Sequence, residues 1–210
     1  MKLSARNIQT ITARFVAVVF HPLFMPAYGL FIIFSTPTLF HYLPLQVKKI
    51  LMLIIIVNNI ALPVALMPFF RSRNIIKSWL MEERGERNVP MLVVSLLYTV
   101  TSFIMMRLSV PLLLKTYLYS VSLLSLTLLF INFRYKISIH AAGAGALTGL
   151  VLVLWIQFGQ SLVWFMVPSL IISGLVLSCR LYSNSHNPAQ VYTGYAAGFT
   201  VISAVMLLVS

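Results

Sequence analysis

Apolar runs of about twenty residues follow one another along this chain, and short polar stretches between them hold most of the charge. A helix needs roughly 20 mostly apolar residues to cross a bilayer. The pattern therefore predicts membrane-spanning helices over about 12–34, 50–70, 90–107, 110–133, 140–158, 162–178 and 189–209. The third run is short, and only Arg107, Leu108 and Ser109 divide it from the fourth, which carries Lys115 near its start. The expectation is an all-α polytopic membrane protein, a bundle of six to seven transmembrane helices, the six-span form having one re-entrant segment. Residues 1–210 form a single membrane domain, with 1–70 an N-terminal helical hairpin and 71–210 the core that carries the chemistry.

Composition narrows the class. Of the 210 residues 60% are hydrophobic and only 9% charged, against about 25% charged in a soluble domain. Too little charge remains to cover a wetted surface. The N-terminus begins with charge, turns apolar and has no small-residue cleavage site, so it is expected to be a retained first span.

Charge then changes the picture twice. Fifteen Lys and Arg against three acids give +12. These basic residues lie between apolar segments, where retention on one face and contact with anionic lipid account for them. Membrane lipids are the expected partners, and nucleic acid is not. One face would hold Lys2, Arg6, Arg14, Arg71, Arg73, Lys77, Arg84, Arg87, Arg134, Lys136 and Arg180, and the other Lys48, Lys49, Arg107 and Lys115. That imbalance places the first face in the cytoplasm, in a membrane expected to be the bacterial inner (plasma) membrane.

The acids matter more by their scarcity. There is no aspartate, and Glu82, Glu83 and Glu86 share one loop. Magnesium chemistry that needs several carboxylates is disfavoured, and an intramembrane aspartyl protease is excluded. The single Cys179 excludes an intrachain disulfide and a multi-cysteine metal site. No cofactor and no metal are expected.

Candidate chemistry lies in three segments. The strongest runs from Cys179 and Arg180 through His186 to Gln190, between the sixth and seventh runs. A neutral imidazole is a competent nucleophile, a guanidinium grips two phosphate oxygens, and Gln190 is one helical step from His186. The second, Lys136 to His140 with Ser138, opens the fifth run, where a helix N-terminus suits a phosphate. The third, Lys77 to Pro90, holds Arg84 and Arg87 among its glutamates. Gly145 with Gly149, and Gly194 with Gly198, give the fifth and seventh runs small faces for close packing. Such packing would bring His140 and His186 to one end. His21, beside Pro22 inside the first run, is expected to bond carbonyls exposed by the bend, and Asn58 and Asn59 to join helices.

Together these segments resemble the type 2 phosphatidic acid phosphatase superfamily. Arg180–His186–Gln190 is similar to the third signature, Ser-Arg-x5-His-x3-Asp, with Cys179 for serine and Gln190 for aspartate. Ser138–His140 is similar to Pro-Ser-Gly-His. Lys77 and Arg84 have the spacing of Lys-x6-Arg-Pro, with Gly85 where proline stands, while Pro90 follows Arg87. The resemblance covers roughly 77–198. It implies a membrane-embedded, metal-independent hydrolysis of a lipid phosphate or diphosphate, phosphatidate-like or polyprenyl, through a phosphohistidine intermediate. By the same resemblance His186 attacks phosphorus, His140 protonates the leaving group, and Gln190 orients His186. Arg180, Arg84, Arg87, Ser138 and Lys77 hold the phosphate. The alternatives are a weak or inactive relative that binds lipid phosphates, and a small transporter.

Overall fold

A proline shapes the first span. In the computed structural model, which describes residues 5–79, 81, 83–159 and 162–209, helix α1 (Ala5–Val19) ends just before Pro22. Lys2, Glu82 and the side chain of Arg6 lie outside the described part. Pro22 has no N–H to give the carbonyl of Val18, so the N–H of His21 takes that carbonyl instead, at 3.3 Å. The carbonyl of Ala17, which an unbroken helix would pair with His21, is thereby released. His21 caps a 3-10 turn over Pro22–Phe24, its Nδ1 accepting the Leu23 N–H at 3.3 Å. Helix α2 (Met25–Ser35) completes the span.

The second span is also irregular. Helices α3 (Leu45–Ile55) and α4 (Leu62–Ser72) are joined by a π turn over Ile56–Ala61, next to Pro63. Inserted wide turns of this kind re-aim side chains, and here Asn59 is buried and accepts a 2.7 Å bond from the Thr101 hydroxyl. Thr101 belongs to α5 (Asn88–Arg107), so Asn59 joins the second and third spans as expected. The remaining spans are α6 (Leu112–Asn132), α7 (Ile139–Phe158), α8 (Val163–Tyr182) and α9 (Pro188–Val209).

Seven segments among the described residues, 20 to 28 residues long, have the length and apolarity to cross a membrane, and no strand occurs among those residues. The fold is an all-α polytopic bundle. Both arms of the α5–α6 hairpin are long and apolar enough to cross a membrane, which favours seven spans over the re-entrant six-span form. Helix α8 runs four residues beyond its expected end, which puts Cys179 and Arg180 on its last turn rather than in a loop. The first 70 residues pack on the rest of the bundle, α1 on α8 and α2 on α7.

Helices α7 and α9 make the most extensive contact in the bundle. Their glycines explain it. A methyl group on Gly145 would overlap the backbone of Tyr195, and one on Gly198 the carbonyl of Ala142. Only hydrogen fits where the two backbones approach so closely. The ends are tied as well, the Ser138 N–H donating to the Gln190 carbonyl at 3.1 Å. The start of α7 and the start of α9 are therefore fixed side by side.

Candidate functional site

At the end of the bundle where α7 and α9 begin, a cavity of about 1270 Å³ opens between the helices. Local sequence explains how each side chain reaches it. The α8–α9 loop turns at Asn184, which adopts a left-handed conformation (φ 49°) that asparagine tolerates better than most residues. Asn187 then starts α9 with a reciprocal cap. Its Oδ1 accepts the Gln190 N–H at 2.8 Å, and Gln190 Oε1 accepts the Asn187 N–H at 3.4 Å. Such a capping box satisfies donors that the helix start leaves free.

The same Oε1 lies 3.0 Å from Nδ1 of His186. Because Oε1 already accepts a backbone N–H, it is the carbonyl oxygen, and Nδ1 must donate to it. The lone pair of the neutral ring is then on Nε2. His186 is 7% exposed and lines the cavity. Burial first, then the charges of Arg87, Arg180 and Lys136, push its pKa down to about 4, against the opposing bond to Gln190. His186 is therefore neutral at neutral pH.

His140, on the first turn of α7, lines the same cavity. Its Nε2 lies 3.1 Å from the carbonyl of Ala17, the one released by the break in the first span. A carbonyl can only accept, so Nε2 carries the proton and Nδ1 the lone pair. The His21 ring stands edge-on to His140, with centroids 5.3 Å apart and planes at 85°. Its own Nδ1 is held by the Leu23 N–H, which leaves a proton on Nε2. Three histidines thus line one cavity, each with its tautomer set by a neighbour.

The cations are as specific. Arg87 is 8% exposed, lines the cavity, and its Nε donates to the Met81 carbonyl at 2.8 Å. Arg180 reaches the cavity from the end of α8, and its Nε is buried with no hydrogen-bond partner among the described residues. An unmet buried donor costs about 1–3 kcal/mol, more on a charged group. Arg14 and Lys136 also line the space, and no acidic residue does so among the described residues.

His186, His140, Arg180 and Arg87 are therefore gathered on one cavity, with Gln190 directly behind His186. The other candidates lie elsewhere. Lys77 is 70% exposed and paired with Glu83 at 3.0 Å, a bond that raises its pKa. Arg84 is exposed and is not part of the lining; its carbonyl accepts from the buried Asn132. Ser138 is fully buried, and its hydroxyl caps α7 through the Ala141 N–H at 3.4 Å. Sequence reasoning placed His21 in a bend but not in the site. The signal available was an ionisable residue beside a proline within an apolar run. Comparison with protein-family models, with curated proteins and with solved structures gave no match to this chain.

Proposed function

We propose that the cavity binds the phosphate of a membrane lipid and hydrolyses it without a metal, as the superfamily resemblance of the three segments implies. The observation that carries this reading is the buried Arg180 Nε, which has no partner among the described residues, in a space that also holds Arg87 and three histidines and has no acid among its described lining. Fixed donors in a site that excludes water favour an anion strongly.

Chemically, His186 Nε2 attacks phosphorus, and the phosphorus–oxygen ester bond breaks with its electron pair on the leaving oxygen. His140, whose Nε2–H is held by Ala17, delivers a proton from Nδ1 of its imidazolium form to that oxygen. The phosphoryl group then rests on His186 with Nδ1–H still donated to Gln190. Water, giving a proton back to His140 Nδ1, attacks phosphorus and releases inorganic phosphate and the free imidazole. Arg180 and Arg87 balance the charge of the phosphoryl oxygens. The basic face is assigned to the cytoplasm by its excess of Lys and Arg.

Phosphate release from purified protein in detergent, over lipid phosphates and diphosphates and without added metal, tests this directly. Turnover lost in both His186→Ala and His140→Ala is expected; turnover retained in either refutes the assigned roles. One observation favours the second reading, a binding protein with little or no turnover. Gln190 is neutral and cannot offset the charge that develops on His186, and its oxygen is shared with the helix cap.

A further inference from the structure

We infer that the same cavity is an internal berth for a hydrocarbon chain, holding the tail of the ligand between α5, α6 and α7 while its phosphate sits at the basic end. This rests on the phosphate-binding reading of that end. The volume, about 1270 Å³, exceeds the roughly 300–1,000 Å³ of most small-molecule sites and far exceeds what a phosphate fills.

The two ends differ in chemistry. Every charged group comes from a helix end or an adjoining loop, apart from Arg14 on α1 and His21 at the break in the first span. The deeper wall is mainly apolar, with Val94, Tyr98, Val121 and Leu147 facing the space. Ser95 and Ser125 also line it, and the Ser125 hydroxyl is turned onto its own helix, donating to the Ser122 carbonyl at 2.7 Å. Even the Tyr117 hydroxyl at its far end is taken up, donating to the carbonyls of Met25 and Pro26 at 3.3 and 3.2 Å. Depth is informative as well. Tyr98 lies ten residues into α5, and Tyr117 fifteen residues before the end of α6. At 1.5 Å per residue these positions are about 15 and 22 Å from the site face. The hydrocarbon core of a bilayer is about 30 Å thick, so the cavity reaches as deep as one leaflet. A lipid arriving sideways already holds its phosphate and its chain at the matching levels.

Selection must then come from shape. Lipid tails are as apolar as leucine, so a chain gains little hydrophobic energy by moving from bilayer to berth. Arg87, Arg180 and the histidines hold the phosphate, and the apolar wall admits or rejects the chain.

The test uses the full-length protein in detergent. Phosphatidate, a polyprenyl phosphate and dodecyl phosphate are titrated with native mass spectrometry as readout, and inorganic phosphate with phosphorus NMR. Val94→Trp and Ser125→Trp place a large ring in the apolar part, at positions that are partly buried and away from the basic end. Each is expected to weaken all three chain-bearing ligands by about ten-fold or more, in line with the cost of overpacking, with inorganic phosphate unchanged. Folded tryptophan variants that bind long-chain phosphates as well as the parent overturn the berth. Should both fail to fold, Val94→Ala takes their place. It widens the space and is expected to raise affinity for the bulkiest chain relative to dodecyl phosphate, and an unaltered ranking overturns the inference. Chain-selective binding with no turnover of any lipid supports the berth while removing the hydrolysis reading. The order of the three chain-bearing ligands identifies the lipid class.

Discussion

A glutamine amide orients His186 through a 3.0 Å bond while the same oxygen caps the start of α9, the helix that carries Gln190 and that His186 closely precedes. A carboxylate at this position would also favour the cationic ring that the proposed attack on phosphorus would form. Loss of the equivalent carboxylate costs about 10⁴ in rate in serine proteases. Gln190→Asp is accordingly expected to raise kcat by about ten-fold or more, measured on whichever lipid phosphate turns over. A rate that falls instead would mean that the amide is the better partner. The pH dependence has a definite sign. His186 is held down to about 4 from its ordinary 6.5, so on acidification the unfolded chain takes up this proton before the folded one does. The stability contributed by the neutral ring is intact above pH 6.5 and is lost as pH falls from 6.5 to about 4. Thermal melting of the parent should drop through that window more steeply than melting of His186→Phe; identical slopes would contradict the burial argument. In kcat/KM, the acid limb belonging to His186 should lie near pH 4.

At the scale of elements, the interrupted first span sets the tautomer of His140, because Pro22 releases the Ala17 carbonyl that holds Nε2–H. Replacing Pro22 with alanine restores an N–H for Val18, returns the His21 N–H to Ala17, and frees the His140 ring. A proline inside a helix costs about 3 kcal/mol, so Pro22→Ala should melt higher while its kcat falls, with nitrogen NMR showing the altered His140 tautomer. Activity and stability rising together would refute the coupling. The glycine contact is more rigid. Gly198→Ala drives a methyl into the Ala142 carbonyl and is expected to lower stability by about 1–3 kcal/mol or more. Gly174→Ala, on α8 with open space around it, should be neutral or stabilising, with melting temperature as the readout. These elements also show what a sequence discloses. The seven spans follow from apolar runs and chain punctuation, and the α7–α9 contact from the Gly145, Gly149, Gly194 and Gly198 spacing. The place of His21 and the hold on His140 depend on a contact between positions 17 and 140, which no local pattern encodes. Lys77, Arg84 and Ser138 illustrate the converse: motif spacing picks them out, while an ion pair, solvent and a helix cap account for them in the fold.

Over the whole molecule, the described loops that carry the site share one face with most of the Lys and Arg residues, and the proposed cytoplasmic orientation can be checked by labelling. In a Cys179→Ser background, Glu83→Cys should react with an impermeant thiol reagent only in inverted vesicles, and Ser109→Cys only in intact cells. The opposite pattern would put the site outside. Helix α8 is the least enclosed of the spans, with Trp164, Val167, Leu170 and Ile171 facing outward, yet it delivers Arg180 to the cavity. A helix held largely by hydrocarbon follows the thickness of its surroundings, tilting in a thin membrane and straightening in a thick one. The membrane is then a mechanical component of the site: swelling or thinning it would move one guanidinium against the histidines of the cavity, and lipid composition would act as a dial on the proposed phosphate affinity.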